Sequence, residues 1–433
     1  MILNDIVEVI YAPVNAFKKI VANPKYLGAI IILLLFIAVS IGYEYAQFNQ
    51  TYTENTSPTI DKLSQSTNAT FWSANLGVAL NNNYFDYYNY SVYVASLGYA
   101  ATDPHAYYNI FSNYTNEPGP SSLEFNLINA KSISANISNP LNADCSSSGF
   151  KNLSMAFKLV APKSVPQSAA ITLYVNESNF YSYDLASSLS SASAINLWQN
   201  LTLPVGPSAQ GWAVTGTPSW GNVTTLKLDF TYPTSSNITL RVGALFFHGQ
   251  FQTPVQYNST GLLLQFLQLF GLQFILGWFI VTGLIYIFFR GLKVEGVTWK
   301  PILIGLAFAM FIMVIRELVN LVAALTLPPL YYPFDVSLGV RFDSFGTVYF
   351  PPEAASALSA SSQAAVNNLA SLTSGFRFAV SAMFFVSYVW LGGLCTVIVG
   401  TLKPEFTWTK RVIISAVSVA VTVLLLLLLL GVV

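Results

Sequence analysis

The chain has 433 residues, of which 53% are apolar and only 9% are charged, whereas a soluble domain usually carries about a quarter charged residues. Lysine and arginine (19) balance aspartate and glutamate (19), so no overall basic surface exists to bind nucleic acid. Two cysteines and two histidines are too few for a disulfide framework or a cysteine-rich zinc site. The composition indicates a membrane protein.

Residues 1–24 precede the first long apolar run and carry one apolar stripe. Apolar residues recur at steps of three and four between Ile6 and Val21, and charged or amide side chains fill much of the rest. This pattern predicts an amphipathic helix on the cytoplasmic leaflet, with its lysines near anionic headgroups. The alternative is a helix packed against the inner end of a helical bundle. Pro13 is expected to kink the helix or split it in two.

Five apolar runs are long enough to cross a bilayer, which requires about 20 residues in a helix. They occupy residues 26–43, 262–289, 301–327, 378–402 and 412–433. The prediction is a polytopic α-helical membrane protein with five transmembrane helices. The first lies in 25–45 and the other four in 262–433. An extracellular loop, 328–376, separates the third from the fourth.

The basic residues of the short connections predict the orientation. Nine of them fall on one side of the membrane: Lys18, Lys19, Lys25, Arg290, Lys293, Lys300, Lys403, Lys410 and Arg411. Because cytoplasmic loops carry an excess of lysine and arginine, that side is predicted to be the cytoplasm. The N-terminus is then inside the cell, and the C-terminus and residues 46–261 are outside. Tyr43, Glu44 and Tyr45 do not form a small-residue cleavage site, so the first run is expected to remain as an anchor.

Residues 46–261 contain every N-x-S/T sequon of the chain. These are Asn49, Asn55, Asn68, Asn89, Asn113, Asn136, Asn152, Asn176, Asn200, Asn222, Asn237 and Asn258. A single sequon is a weak signal because the pattern recurs by chance, especially in a segment rich in Asn, Ser and Thr. Their restriction to the segment that the charge rule places outside predicts a glycosylated extracellular domain. Composition alone is the alternative explanation.

The second half of this segment has the sequence pattern of short β-strands. Strands are predicted at 153–160, 170–175, 224–230 and 238–247, separated by clusters of Pro, Gly, Ser and Asn. The pattern favours a β-sandwich or jelly roll over about 120–252. Residues 197–251, with Trp198 before LTLPVG and GWAVTGTPSW, resemble the galactose-binding-like jelly rolls of carbohydrate-binding modules. Residues 81–90 are predicted as a loop or an extended cap.

Three tryptophans of this domain are candidates for stacking on sugar rings: Trp198, Trp212 and Trp220. An aromatic face offers a large apolar surface to the C–H face of a sugar. Tryptophan at the end of a strand is more often part of a core or of a sandwich edge, and that alternative stays open here. Surface glycans or coat proteins are the partners that this interpretation implies.

A polar group interrupts the third predicted span. Arg316, Glu317 and Asn320 lie within it, and an ionisable residue at that depth is expensive and suggests function. Arg316 and Asn320 share a helix face, whereas Glu317 is rotated by about 100°, which argues against a simple pair between Arg316 and Glu317. One interpretation is a transport or proton site. The other is a structural bridge to another span.

No catalytic, metal or cofactor constellation is apparent in the sequence. His105 and His248 are far apart and have no metal-site context. Asp86, Asp184 and Asp229 share no motif that would mark a glycosidase pair. There is no G-x-S-x-G elbow, P-loop or G-x-G-x-x-G. The sequence therefore predicts neither an enzyme nor a cofactor.

The membrane half resembles the YIP family (the Ypt-interacting-protein membrane domain) in its prokaryotic form. The resembling residues are Pro13, Phe17, Ile20, Asn23 and Pro24 running into the first span, and the paired hairpins with short cytoplasmic turns rich in Gly, Lys and Trp. The resemblance implies a compact five-helix bundle. Eukaryotic members are associated with Rab-type GTPases and vesicle traffic, and prokaryotic members have no settled activity.

This chain departs from the family by inserting the long segment 46–261 and the loop 328–376. These departures suggest that the function of the protein resides at its extracellular face. The predicted function is a cell-surface protein of YIP-like type whose extracellular domain binds or scaffolds surface partners, glycans among them. The alternative is a transporter, or an accessory subunit of a membrane complex, that uses the polar group of the third span. The lipid bilayer is a partner in both.

Overall fold

The computed structural model describes residues 2–57, 69–75, 79–83, 122–137, 141–186, 189, 198–333, 341–342, 348–349 and 360–430. Within these residues the helices are α1 (Ile2–Tyr11), α2 (Pro13–Ala22), α3 (Tyr26–Gln50), α4 (Pro254–Gly291), α5 (Trp299–Ala309), α6 (Phe311–Leu325), α7 (Ala360–Leu402) and α8 (Trp408–Leu430). They form a bundle, and a β-sandwich is inserted between α3 and α4. The two parts of the predicted fold class, long apolar helices and a β-rich insertion, are confirmed at this level.

The strands of the β-sandwich come almost entirely from the segment between α3 and α4. They are β1 (Thr51–Ser57), β2 (Trp72–Ala74), β3 (Ala79–Asn83), β4 (Ser122–Ile137), β5 (Asn152–Ala161), β6 (Ser168–Asn176), β7 (Asn179–Asp184), β8 (Trp198–Pro204), β9 (Trp212–Thr215), β10 (Thr225–Gln252) and β11 (Leu330–Tyr332). A further small hairpin joins β12 (Arg341–Phe342) and β13 (Val348–Tyr349). The predicted loop or cap at 81–90 begins within strand β3, and its remainder lies outside the described residues.

The N-terminal segment folds as two helices rather than one. The break falls at Ala12, before Pro13, which occupies the first position of α2, where its missing N–H costs no hydrogen bond. Ile6, Val9 and Phe17 are almost fully buried in the core of the bundle. The predicted split is present, and the segment packs against the bundle as the alternative interpretation stated.

Among the described residues, five helical segments are long and apolar enough to cross a membrane: α3, α4, α5 with α6, α7 and α8. Their ends differ from the apolar runs. Helix α3 continues to Gln50, and α4 starts at Pro254 rather than at 262. The third segment is broken at Met310, between α5 and α6. Helix α7 starts at Ala360, so the predicted loop 328–376 is helical in its last part.

The sandwich is organised around the long strand β10. Its first half pairs with β6, and its second half with β5, while β4 runs along the other side of both halves. The β4–β10 ladder shifts register between Thr231 and Ile238, where β10 passes from one sheet to the other. The predicted strands 224–230 and 238–247 are therefore one bent strand, and 153–160 and 170–175 correspond to β5 and β6.

The two sheets end at strands that face each other across the sandwich. One sheet continues from β10 through β6 and β7 to β9, and the other continues through β5 to β8. Both series lie on the side of β10 opposite β4. Leu153, Leu228, Phe230 and Phe247 are among the side chains that fill the space between the sheets. This is a β-sandwich with sheets of jelly-roll type.

The sandwich is joined directly to one end of the bundle, and the short connections gather at the other end. Strand β1 begins where α3 ends, and β10 is separated from α4 only by Thr253. At the far end, the ammonium group of Lys300 lies 5.2 Å from the ring centroid of Tyr26, and the rings of Phe289 and Phe406 are 6.0 Å apart. The turns that carry the basic residues of the α4–α5 and α7–α8 connections are thus at the end away from the sandwich.

Candidate functional site

An aromatic cluster lies at the edge formed by β7 and β9. The ring of Trp220 stacks on Tyr181 with centroids 3.7 Å apart and an interplanar angle of 13°. Trp212 contacts Trp220 nearly edge-on at 5.7 Å, and Tyr183 contacts Trp212 at 5.2 Å. Tyr181 is buried, whereas the other three side chains are half-buried and reach the surface. These four rings are called the aromatic edge below.

The strand register explains how the aromatic edge forms. Tyr181 and Tyr183 alternate along β7, so they point to the same face, and Tyr183 lies directly opposite Trp212 on β9. Two hydrogen bonds fix the rings. The indole Nε1 of Trp212 donates to the carbonyl of Pro204 at 2.8 Å, and the hydroxyl of Tyr181 donates to the carbonyl of Pro218 at 2.9 Å. Burial raises the pKa of Tyr181, so its phenol keeps the donated proton.

Of the three predicted tryptophans, Trp212 and Trp220 are in contact. Trp198 begins β8, where its backbone lies opposite Lys158, whereas Trp212 bonds to Pro204 at the other end of that strand. The length of β8 separates these points by about 20 Å. Tyr181 and Tyr183 were missed in the sequence argument, although the alternation of tyrosines in β7 was a usable signal. The aromatic edge therefore consists of Trp212 and Trp220 with two tyrosines, and the backbone of Trp198 lies at the opposite end of β8.

The predicted polar group of the third span forms a compact cluster on α6. The guanidinium of Arg316 binds the Glu317 carboxylate through Nε at 2.8 Å and Nη2 at 2.6 Å, and Asn320 donates to the same carboxylate at 3.4 Å. The expectation that Arg316 and Glu317 do not pair was wrong, because the long arginine side chain spans the rotation between adjacent helix positions. Tyr388 of α7 lies beside the guanidinium, with its ring centroid 5.8 Å away.

All three residues of this cluster are more than nine-tenths buried. Within the described residues, Nη1 of Arg316 and Oδ1 of Asn320 have no hydrogen-bond partner. The cluster is thus an ion pair with one spare donor and one spare acceptor. Its contact with Tyr388 joins α6 to α7.

The sequons differ in how accessible their asparagines are. Exposed side chains are found at Asn49, Asn176, Asn222, Asn237 and Asn258, and half-buried ones at Asn55, Asn136 and Asn152. Asn55 donates to Gln252 at 2.9 Å, so a glycan there would compete with an existing contact. Asn200 lies within β8, and Asn68, Asn89 and Asn113 lie outside the described residues.

The metal and glycosidase candidates that lie within the described residues do not form a site. His248 binds Glu54 at 2.9 Å, and His105 lies outside the described residues. Across the described ranges, no group of three His, Cys, Asp or Glu side chains could hold a metal ion. Asp184 caps a turn at Ala186, Asp229 pairs with Lys227, and Asp86 lies outside the described ranges.

Comparison with known proteins places the chain in no family. No protein-family model matches it, and no curated protein sequence matches it. Among solved structures, a family 11 carbohydrate-binding module from Clostridium thermocellum, in complex with a mixed-linked β-1,3-1,4 tetrasaccharide, is 9% identical and has a TM-score of 0.24. The match covers 45% of this chain and 94% of that one.

Two further solved structures are similar at the same level. The family 11 module of the cellulosomal cellulase Lic26A-Cel5E from C. thermocellum is 10% identical over 41% of this chain and 85% of that one, with a TM-score of 0.21. The glycoside hydrolase domain of Endo-D from Streptococcus pneumoniae is 12% identical over 41% of this chain and 21% of that one, with a TM-score of 0.20. Scores of this size support no conclusion about function. The class that the strands and helices define is a multi-pass helical protein with an inserted β-sandwich.

Proposed function

We propose that this chain is a multi-pass protein of the cell membrane whose β-sandwich lies outside the cell and binds carbohydrate. The aromatic edge carries this proposal, because Trp212, Trp220 and Tyr183 offer a half-exposed aromatic surface held by hydrogen bonds. Neighbouring hydroxyl and amide side chains, including the exposed Ser219, supply the polar contacts that sugars require. A coat protein that carries glycans is a partner of the same chemistry.

The proposed orientation rests on two independent features. The turns rich in lysine and arginine lie at the end of the bundle away from the sandwich, as expected for a cytoplasmic end. The exposed sequons Asn176, Asn222 and Asn237 lie on the sandwich itself. In this orientation the N-terminus is cytoplasmic. After five crossings, the C-terminal end of α8 is then on the extracellular side.

A glycan array tests the binding proposal with the full-length protein in lipid nanodiscs. We expect binding to at least one class of oligosaccharide. Trp212→Ala and Trp220→Ala are each expected to weaken it at least tenfold, about 1.4 kcal/mol, because each removes part of the aromatic surface. Tyr257→Ala is the matched control, since Tyr257 is an aromatic residue that is 60% exposed at the start of α4.

Two results would contradict the proposal. The first is no binding to any glycan at millimolar concentration by protein that melts cooperatively. The second is equal loss of binding in the Tyr257 control, which would show that the aromatic edge has no particular role. Melting curves of each variant separate lost binding from lost folding, because Trp212 and Trp220 also pack on the sandwich core.

The alternative of a transporter or accessory subunit has less support. The charge of Arg316 is answered by Glu317 on the same helix, and Tyr388 completes the contact with α7. An internally paired cluster of this kind suits a structural bridge between helices. Membership of the YIP family also remains a proposal, supported by the resemblance at residues 13–24 and by the five helices.

A further inference from the structure

A polar row crosses the outer face of the sheet that contains β1, β10, β5 and β8. His248 Nδ1 lies 2.9 Å from the Glu54 carboxylate, and His248 Nε2 lies 2.9 Å from Ser154 Oγ. Ser154 Oγ also lies 2.9 Å from Thr202 Oγ1. Four residues from four neighbouring strands therefore form one continuous chain of hydrogen bonds.

The strand register explains why these side chains share a face. Leu153 lies opposite both Phe247 and Leu203, and all three are buried in the sandwich core. Because side chains alternate along a strand, the next residue of β5, Ser154, points to the opposite face. Thr202 lies directly opposite Ser154 on β8 and points the same way.

Gly249 brings Glu54 into the row. The β1–β10 ladder shifts register between Asn55 and Ser57, and Gly249 has a φ of +87° at this point. This φ favours glycine, and a Cβ at Gly249 would also lie only 3.0 Å from Asn152 Nδ2. The backbone N–H of Gly249 donates to Glu54 at 2.7 Å and orients the carboxylate toward His248.

The donors and acceptors fix the direction of the row. An ionised carboxylate only accepts, so Nδ1 of His248 donates its proton to Glu54. In the neutral ring, Nε2 is then the acceptor and receives the proton of Ser154. The Ser154 oxygen in turn accepts from Thr202. A serine hydroxyl, an imidazole and an orienting carboxylate in this order are the arrangement that activates a serine as a nucleophile.

We propose that Ser154 is the nucleophile of a second site, which cleaves carboxylic esters. Ser154 Oγ attacks the ester carbonyl carbon while His248 Nε2 takes the hydroxyl proton. The departing alcohol receives that proton, which leaves an acyl group on Ser154. Water then attacks the acyl-serine with the same imidazole as base, so ester and water give acid and alcohol. Ser154 is half-buried beside the exposed Thr202, so the site lies on the solvent-facing side of the sheet.

Ser154 and His248 would touch the reacting atoms, whereas Glu54 is a positioning residue that acts through His248. The buried Glu54 holds the ring in the tautomer that accepts from Ser154. This inference is independent of carbohydrate binding, since none of its residues belongs to the aromatic edge. A failure of either proposal leaves the other standing.

A fluorophosphonate probe tests the proposal on the full-length protein in nanodiscs. We expect covalent labelling that mass spectrometry maps to Ser154, and hydrolysis of p-nitrophenyl acetate. Ser154→Ala is expected to abolish both, and His248→Gln is expected to slow labelling by about 100-fold or more. Glu54→Gln is expected to lower kcat without raising KM, which a purely structural role would not do.

Controls separate the site from its surroundings. Ser154 is also the hydroxyl residue of the Asn152 sequon, so Asn152→Gln removes the sequon but leaves Ser154 in place. Ser134→Ala removes another half-buried strand serine and is expected to label like the native protein. The proposal is overturned by native protein that shows no labelling at Ser154, or by labelling that persists in Ser154→Ala. Mapping the native protein requires no variant, so misfolding of a variant cannot obscure the answer.

Discussion

At the scale of single residues, the Arg316–Glu317 pair shows what burial of charge inside a helical bundle requires. Both side chains are more than nine-tenths buried by the protein, so neither charge has water around it. Each of the two charges is therefore tolerated only because the opposite charge lies beside it. The sequence reveals that charged residues lie in this span, but the contact between them depends on rotamers, which no periodic pattern encodes.

Removing one partner of this pair is expected to cost more than removing both. Arg316→Leu leaves the Glu317 carboxylate buried without its cation and should lower the free energy of unfolding by about 3 kcal/mol or more. The double variant Arg316→Leu with Glu317→Leu should recover most of that loss. Thermal unfolding in one detergent gives the ranking, and Arg290→Leu, at an exposed arginine near the basic end, is the matched control.

A different ranking would support the transporter alternative. If Arg316→Leu unfolds like the native protein but changes ion or solute flux in vesicles, the cluster has a transport role. If the double variant is as unstable as the single one, the pair is not a closed unit, and Asn320 or Tyr388 shares the charge more than the distances indicate.

At the scale of elements, apolar runs located the helices but not their ends. Helix α7 has 43 residues, which is about 65 Å at 1.5 Å per residue and twice the hydrocarbon thickness of about 30 Å. The run from 378 to 402 is only the part that lipid requires to be apolar. Residues before it are helical without being hydrophobic, because hydrogen bonding along a helix does not stop where the bilayer ends. A hydropathy argument therefore underestimates such helices.

Strand β10 shows that strand boundaries are also difficult to predict from the sequence. Alternation predicted 224–230 and 238–247 correctly as strands, and the polar residues between them read as a turn. The chain instead bends there and continues, since a shift in register lets one strand serve both sheets. The contacts among Glu54, His248 and Ser154 could not be predicted from the sequence for a further reason. Glu54 and Ser154 lie 194 and 94 positions from His248.

Packing between elements is tested most directly at Gly28 of α3. A Cβ there would lie 2.2 Å from the ring of Phe308, which is buried between α3 and α5 and has little room to move. We expect Gly28→Ala to lower the free energy of unfolding by about 1–3 kcal/mol, because the core is already filled. Helical propensity alone would predict the opposite sign, since alanine is the better helix former.

Gly283 of α4 provides the control for this substitution. Among the described residues, no atom beyond the adjacent backbone of α4 lies within 4 Å of a Cβ placed at Gly283, so Gly283→Ala should leave the stability unchanged or raise it slightly. Thermal melts of both variants in the same detergent make the comparison. Equal melting temperatures would mean that α3 and α5 are not in close contact at Gly28.

At the scale of the whole molecule, the proposed orientation depends on the positions of two different surfaces. The sandwich occupies one end of the bundle, and the lysine-rich turns occupy the other. Both cysteines are fully buried, one in the sandwich and one in α7. Burial raises the pKa of the Cys145 thiol to about 12, so it stays protonated and unreactive at neutral pH. The native protein is therefore expected to give no signal in thiol labelling.

Two single cysteines placed at opposite ends test the proposed topology in intact cells. Ser208 is exposed in a turn after β8, and Glu295 is exposed in the turn between α4 and α5. A maleimide that cannot cross membranes should label Ser208→Cys on intact cells, and should label Glu295→Cys only after permeabilisation. The native protein should remain unlabelled until it is denatured. The reverse pattern would place the sandwich inside the cell, and labelling of both positions on intact cells would exclude a membrane between the two ends.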